Sequence, residues 1–118
     1  MPQEIEIRMV MLEEVTLFDI KGDMTVVSEP FFEEAYKNAN DQGTSRILLK
    51  FDQNAYINSG GIAILIQLLA ETKQNNQSIC ITGLSDHFKK IFNMVGITKF
   101  AKNYNSVEEA LGGMSESI

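Results

Sequence analysis

Between Ile62 and Ala70 the chain is apolar almost all the way round a helix, broken only by Gln67, and the run is introduced by Ser59-Gly60-Gly61. A helix of this kind needs cover on more than one side, which in a small domain means a sheet beneath it and neighbours beside it. Its aliphatic side chains, at about 1.5 to 3 kcal/mol for each large one buried, would contribute much of the core before chain entropy is subtracted. Gly60 to Ala70 is the most apolar segment and is too short to span a bilayer. The opening MPQEIEIRMV carries charges where a signal peptide needs an apolar run. The expectation is a cytoplasmic protein without membrane insertion.

The segments around this helix alternate between two periods. From Glu4 to Met11, Ile5, Ile7, Met9 and Met11 fall on one face of a strand. After a polar turn at Glu13 and Glu14, Val15 to Ile20 is again strand-like and ends at Gly22-Asp23, so the pair reads as a hairpin. Ser28-Glu29-Pro30 is a helix start, with Ser28 as cap; the helix should reach Asn40 and bury Phe31, Phe32, Ala35, Tyr36 and Ala39 before Gly43 provides a left-handed exit. Because Phe31 and Phe32 are adjacent, both cannot point straight at the sheet. Ile47-Leu48-Leu49 with Phe51 suits a central strand covered on both faces. Ser78 to Thr82 is a fourth strand, and a helix capped by Ser85 should bury Phe88, Ile91, Phe92 and Val95 before Gly96. Ile97 to Tyr104 can hold a fifth strand. Ser106-Val107-Glu108-Glu109 opens a last short helix, with Gly112-Gly113 releasing a disordered tail over 113–118.

With 118 residues there is room for one core, with a radius of gyration near about 13 Å. Ten Lys+Arg against 16 Asp+Glu give a net charge of −6, which argues against nucleic acid, since phosphate recognition depends on clustered cations. The lone Cys80 lies between Ile79 and Ile81; it offers no intrachain disulfide and no zinc ligand set, and reads as a small core residue in a reducing compartment. His87, the one histidine, reads as a solvated first-turn residue, and no serine or cysteine motif makes it a catalytic base. Lys89, Lys90, Lys99 and Lys102 read as a solvated face. A nucleophile elbow would need a glycine where Ile57 stands, and phosphate-loop and metal-ligand patterns are missing, so the expectation is no enzyme, no metal and no cofactor.

The order strand, strand, helix, strand, helix, strand, helix, strand, helix implies an α/β domain, a mixed sheet of four to five strands with four helices mainly on one face. At Tyr56-Ile57-Asn58-Ser59-Gly60-Gly61-Ile62-Ala63-Ile64-Leu65 it resembles the STAS domain, the fold of bacterial anti-sigma-factor antagonists and of sulfate-transporter cytoplasmic tails. Gly22-Asp23 is similar to the family's Gly-Glu turn, and Phe88 to Gly96 to its Phe-Asp-x-x-Gly helix end. The resemblance covers residues 1–112.

In that family the loop before the second helix reads Asp-Ser-Ser/Thr-Gly-Leu, and the residue after the aspartate is phosphorylated by a partner kinase. The resemblance implies Ser59 as the phosphoacceptor. Asn58 stands where the Asp would be, Gly60 replaces the second hydroxyl residue, and Thr25 stands where an Asp is expected. Thr25, Phe31, Asn58, Ser59, Gly60, Gly61 and Ile62 are the implied partner contacts. From the residues alone, Ser59 before two glycines is a helix cap, and Asn58 is either a loop residue bonding its own backbone or a partner contact. Ser28 and Ser85, also at helix starts, are the next phosphorylation candidates.

Two functions follow. The first is an anti-sigma-factor antagonist that binds an anti-sigma factor of histidine-kinase-like ATPase fold, is switched off at Ser59 and restored by a phosphatase, as a monomer or weak dimer. The second is a constitutive STAS subunit of a larger assembly such as a lipid-transport ABC complex, which Asn58 and Gly60 favour slightly.

Overall fold

A computed structural model describes residues 4–116. In chain order it contains β1 (Glu6–Leu12), β2 (Val15–Lys21), α1 (Glu29–Asp41), β3 (Arg46–Lys50), α2 (Ser59–Gln74), β4 (Ser78–Thr82), α3 (Asp86–Met94), β5 (Lys102–Tyr104) and α4 (Val107–Glu116), with 3-10 turns at Val26–Ser28 and Ile97–Lys99. The sheet order is β1-β2-β3-β4-β5. β1 and β2 form the expected antiparallel hairpin, turning at Glu13, and the other pairs are parallel. The Cα radius of gyration is 13.0 Å.

β3 lies at the centre because Ile47, Leu48 and Leu49 have no exposed surface to lose, and both sheet faces claim them. The period of two then divides the core. Phe18, Ile20, Ile47, Leu49, Ile79 and Ile81 face α1, α2 and α3. Val15, Leu17, Leu48, Cys80 and Tyr104 face α4 through Ala110 and Met114. Three helices on one face and one on the other match the expected architecture. Burial pushes the Cys80 thiol up from its ordinary pKa, and Lys102 offsets this only in part.

Five local expectations are corrected. Met11 is half-exposed, because β1 is an edge strand: Ile7 and Met9 pack on the main core while Val10 and Leu12 pack on the α4 side. Ser28 does not cap α1 through its side chain; its hydroxyl is buried and accepts from the Thr25 N–H at 3.0 Å. α2 runs on to Gln74, and it is not buried all round: Ile64, Leu65, Leu68 and Leu69 go inward while Ala63, Ile66, Gln67 and Ala70 form an exposed stripe, since the sheet and α1 cover only part of its circumference. Val95 is half-exposed, because the chain reverses at Gly96 (φ 85°) and sends Ile97 inward instead. Finally, α4 continues through Gly112-Gly113 to Glu116. A Cβ at Gly113 would collide with the Tyr104 hydroxyl, and the next residue, Met114, is buried, so Gly113 allows close packing rather than ending the helix, while Gly112 lies in open space. Of the expected tail, 113–116 is therefore helical and 117–118 lies outside the described residues.

Candidate functional site

The loops after β2 and β3 are tied together. The Met24 N–H donates to the Tyr56 carbonyl (2.8 Å), the Asn58 N–H to the Met24 carbonyl (3.2 Å) and the Tyr56 N–H to Asp23 Oδ1 (3.0 Å). Met24 and Ile57 thereby form an isolated parallel bridge. Thr25 closes the next turn: its hydroxyl accepts from the Val27 N–H (3.3 Å) while Ser28 Oγ accepts from its own N–H, a reciprocal capping box. Held by this turn, Val26 and Val27 point outward, 66% and 73% exposed.

The start of α2 lies against that turn. Asn58 Oδ1 accepts from the Gly61 N–H at 3.0 Å, so Asn58, with extended backbone, is the cap. Ser59 is the first helical residue, is exposed, and its hydroxyl has no hydrogen-bond partner among the described residues. The reading of Ser59 as cap is thus displaced by one position. The glycines have a packing reason: a Cβ on Gly60 would lie 2.9 Å from the Val26 nitrogen, and one on Gly61 would strike the Met24 carbonyl. Gly61→Ala is therefore expected to cost about 1 to 3 kcal/mol of stability in urea melts, because backbone has to move to admit the methyl group. Asn58→Ala should cost about 1 kcal/mol through the lost cap, whereas Asn58→Asp, which can cap equally well, should change the urea midpoint little.

Thr25, Asn58, Ser59, Gly60 and Gly61 come together in this structure, joined by Val26, Val27 and the exposed Tyr56, which sequence reasoning did not single out. The overlooked signal was two adjacent β-branched residues in a segment with no strand partner. Ile62 is half-buried and packs on the core behind the surface. Phe31 is partly exposed but lies in a different groove, with Ile7 and Met9 of β1, while Phe32 and Glu29 occupy the flank of α1 that faces α2. Its place is set by helix geometry, since neighbouring residues are about 100° apart. His87 is exposed, with its ring edge-on to Phe88. Lys89 pairs with Asp86 and Lys102 stacks over Tyr104, so these two are surface contacts rather than a joint basic site. No cluster of potential metal ligands occurs among the described residues. None of their helices is long and apolar enough to cross a membrane.

A five-stranded mixed sheet whose second helix begins at an exposed serine, against a hydrogen-bonded turn, defines a class, and the STAS domain family model matches residues 6–110. The chain belongs to the STAS domain family. Among curated relatives, an anti-sigma-B factor antagonist of Staphylococcus aureus is 26% identical over 78 residues, which cover 66% of this chain and 72% of that protein. Among solved structures, RsbS of Moorella thermoacetica carrying a serine-to-glutamate substitution superposes with a TM-score of 0.80 at 10% identity, over 93% of this chain and 95% of that one. The phosphorylated form of the Bacillus cell-fate determinant SpoIIAA superposes with a TM-score of 0.66 at 15% identity, covering 92% and 99%. At those identities the two structures speak for the fold.

Proposed function

We propose that this chain is a non-enzymatic anti-sigma-factor antagonist: its Ser59 surface binds an anti-sigma factor of histidine-kinase-like ATPase fold, and phosphorylation of Ser59 releases it until a phosphatase restores the hydroxyl. The observation that carries this reading is the free, exposed Ser59 hydroxyl, with the capping role taken by Asn58 and apolar Val26 and Val27 held out beside it. A residue with no bond to lose can be modified without disturbing the fold. A phosphate there would meet first-turn amides left after the Asn58 cap and the positive end of the helix dipole, a local gain of about 0.3 to 2 kcal/mol. The same two negative charges would have to be desolvated or repelled in an interface built on valines. Phosphorylation therefore acts on docking. The names of the Staphylococcus aureus relatives and the phosphorylated SpoIIAA neighbour support the reading.

Asn58 and Gly60, the residues that favoured a constitutive subunit of a transport complex, have structural roles here, as cap and as point of close approach. The test is incubation with the cognate anti-sigma-factor kinase and ATP, read by intact mass. One phosphate on the wild type and none on Ser59→Ala is expected. Phosphate retained by Ser59→Ala would move the site elsewhere; Ser28, fully buried, no longer qualifies, which leaves Ser85. Recovery of an ABC ATPase in place of a kinase-like ATPase in pull-downs would favour the constitutive subunit.

A further inference from the structure

The far end of α2 carries a second surface. An open trough runs between α2 and the segment from Val95 to Phe100, lined by Ile66, Leu69, Ala70, Ile97 and Phe100, with Lys73 as its one charged side chain. Phe100 is 63% exposed and Val95, also in its lining, 49%. From Ser59, Ile66 and Lys73 lie about 10 and 21 Å along the helix axis, at a rise of about 1.5 Å per residue, so an occupant here need not displace a partner at Ser59. Charge is divided across α2. Glu71 shares the opposite flank with Glu29 and Glu33 of α1. On the trough side Lys73 has no ion pair among the described residues and lies 5.8 Å from the Phe100 ring centre. A cation without a carboxylate at the mouth of an apolar trough is locally complementary to an acidic group of a partner, and this contact has to outweigh the repulsion from the chain's net charge of −6.

The shape of that partner follows from the walls. One wall is an α-helix and the other a 3-10 turn whose N–H groups are used internally: Lys99 donates to the Gly96 carbonyl, and Phe100 and Ala101 to that of Ile97. With no strand edge on offer, an extended peptide gains no ladder, and recognition rests on side chains laid into the trough, as for an amphipathic helix. A small ligand fits less well, because the trough, at about 300 Å³, is at the lower limit for such sites and stands open.

We propose that this trough docks an acidic amphipathic helix of a partner protein, whose apolar stripe lies over Ile66, Ile97 and Phe100 and whose carboxylate meets Lys73. The probe is a fluorescein-labelled helical peptide of about 18 residues, with leucines at helical spacing and glutamates flanking them, compared by anisotropy with the same peptide carrying lysines. The glutamate peptide is expected to bind at least roughly tenfold tighter, with amide shifts confined to α2 and Val95 to Phe100 in NMR titration. Lys73→Glu should reverse that preference, and Ile66→Asp should abolish binding while keeping the wild-type melt. No binding, equal binding of both peptides, or a preference unchanged in Lys73→Glu overturns the proposal. Sedimentation of the protein alone also bears on it: a dimer lost in Ile66→Asp would make the occupant a second copy of this chain and refute the acidic helix.

Discussion

Leu65→Asp is expected to leave no cooperative thermal transition. Leu65 is 1% exposed and sits where α2 meets the sheet, within the cluster that joins Phe18, Leu49 and Ile81. The cluster is lined by aliphatic and aromatic side chains, so an aspartate there would be ionised without a partner or forced to remain protonated. Either state costs several kcal/mol, against a total stability of about 5 to 15 kcal/mol for a domain of this size. Ile64→Asp, buried on the same side, should behave alike. Ile66→Asp, one residue beyond Leu65 on the exposed stripe, should melt as the wild type does. Circular dichroism on the three variants checks this, and a cooperative melt close to wild type for Leu65→Asp would mean that α2 is not seated as described.

Ser59→Asp is expected to weaken binding of the kinase-like partner at least roughly tenfold, or about 1.4 kcal/mol, while leaving the fold intact. The two effects separate for a physical reason. Ser59 is exposed at the first position of α2, where an acidic side chain is favourable to the helix by about 0.3 to 1 kcal/mol. In the complex the same charge would lie against the exposed Val26 and Val27 and would have to be desolvated there. Asn58→Asp should act oppositely. It keeps the cap, restores the carboxylate found in the family's loop, and should raise the rate of Ser59 phosphorylation. Calorimetry with the purified kinase gives the affinity, and a phosphate-transfer time course gives the rate. Unchanged affinity for Ser59→Asp, together with no phosphate on the wild type or Asn58→Asp, would end the switch reading and leave the constitutive subunit.

Much of this arrangement was legible because it is written in periodicities. The strand-like run from Val15 to Ile20, the unbroken Ile47-Leu48-Leu49 and the Ser85 and Ser106 caps each follow from a few neighbouring residues, and each recurs in the structure. The errors in burial have one origin, that local pattern does not say how much of an element its neighbours cover. Ile66 and Val95 are as apolar as Leu65 and Phe92, yet remain outside because no element packs over them. Gly112-Gly113 looked like a helix end; the helix runs through both, and at Gly113 it packs too close to Tyr104 for a side chain.

For the candidate site, helix-start chemistry is local, so a serine followed by two glycines already marks the opening of the second helix. Which residue caps and which is free depends on contacts between segments far apart in the chain. Asn58 turns its side chain back to the Gly61 N–H because its own backbone is held by Met24, a residue 34 positions earlier in the chain. That long-range pairing also brings Val26 and Val27 beside Ser59 and leaves Phe31 on the other flank of α1. No periodicity encodes such a contact, because it depends on where two loops end after the sheet has put β2 beside β3.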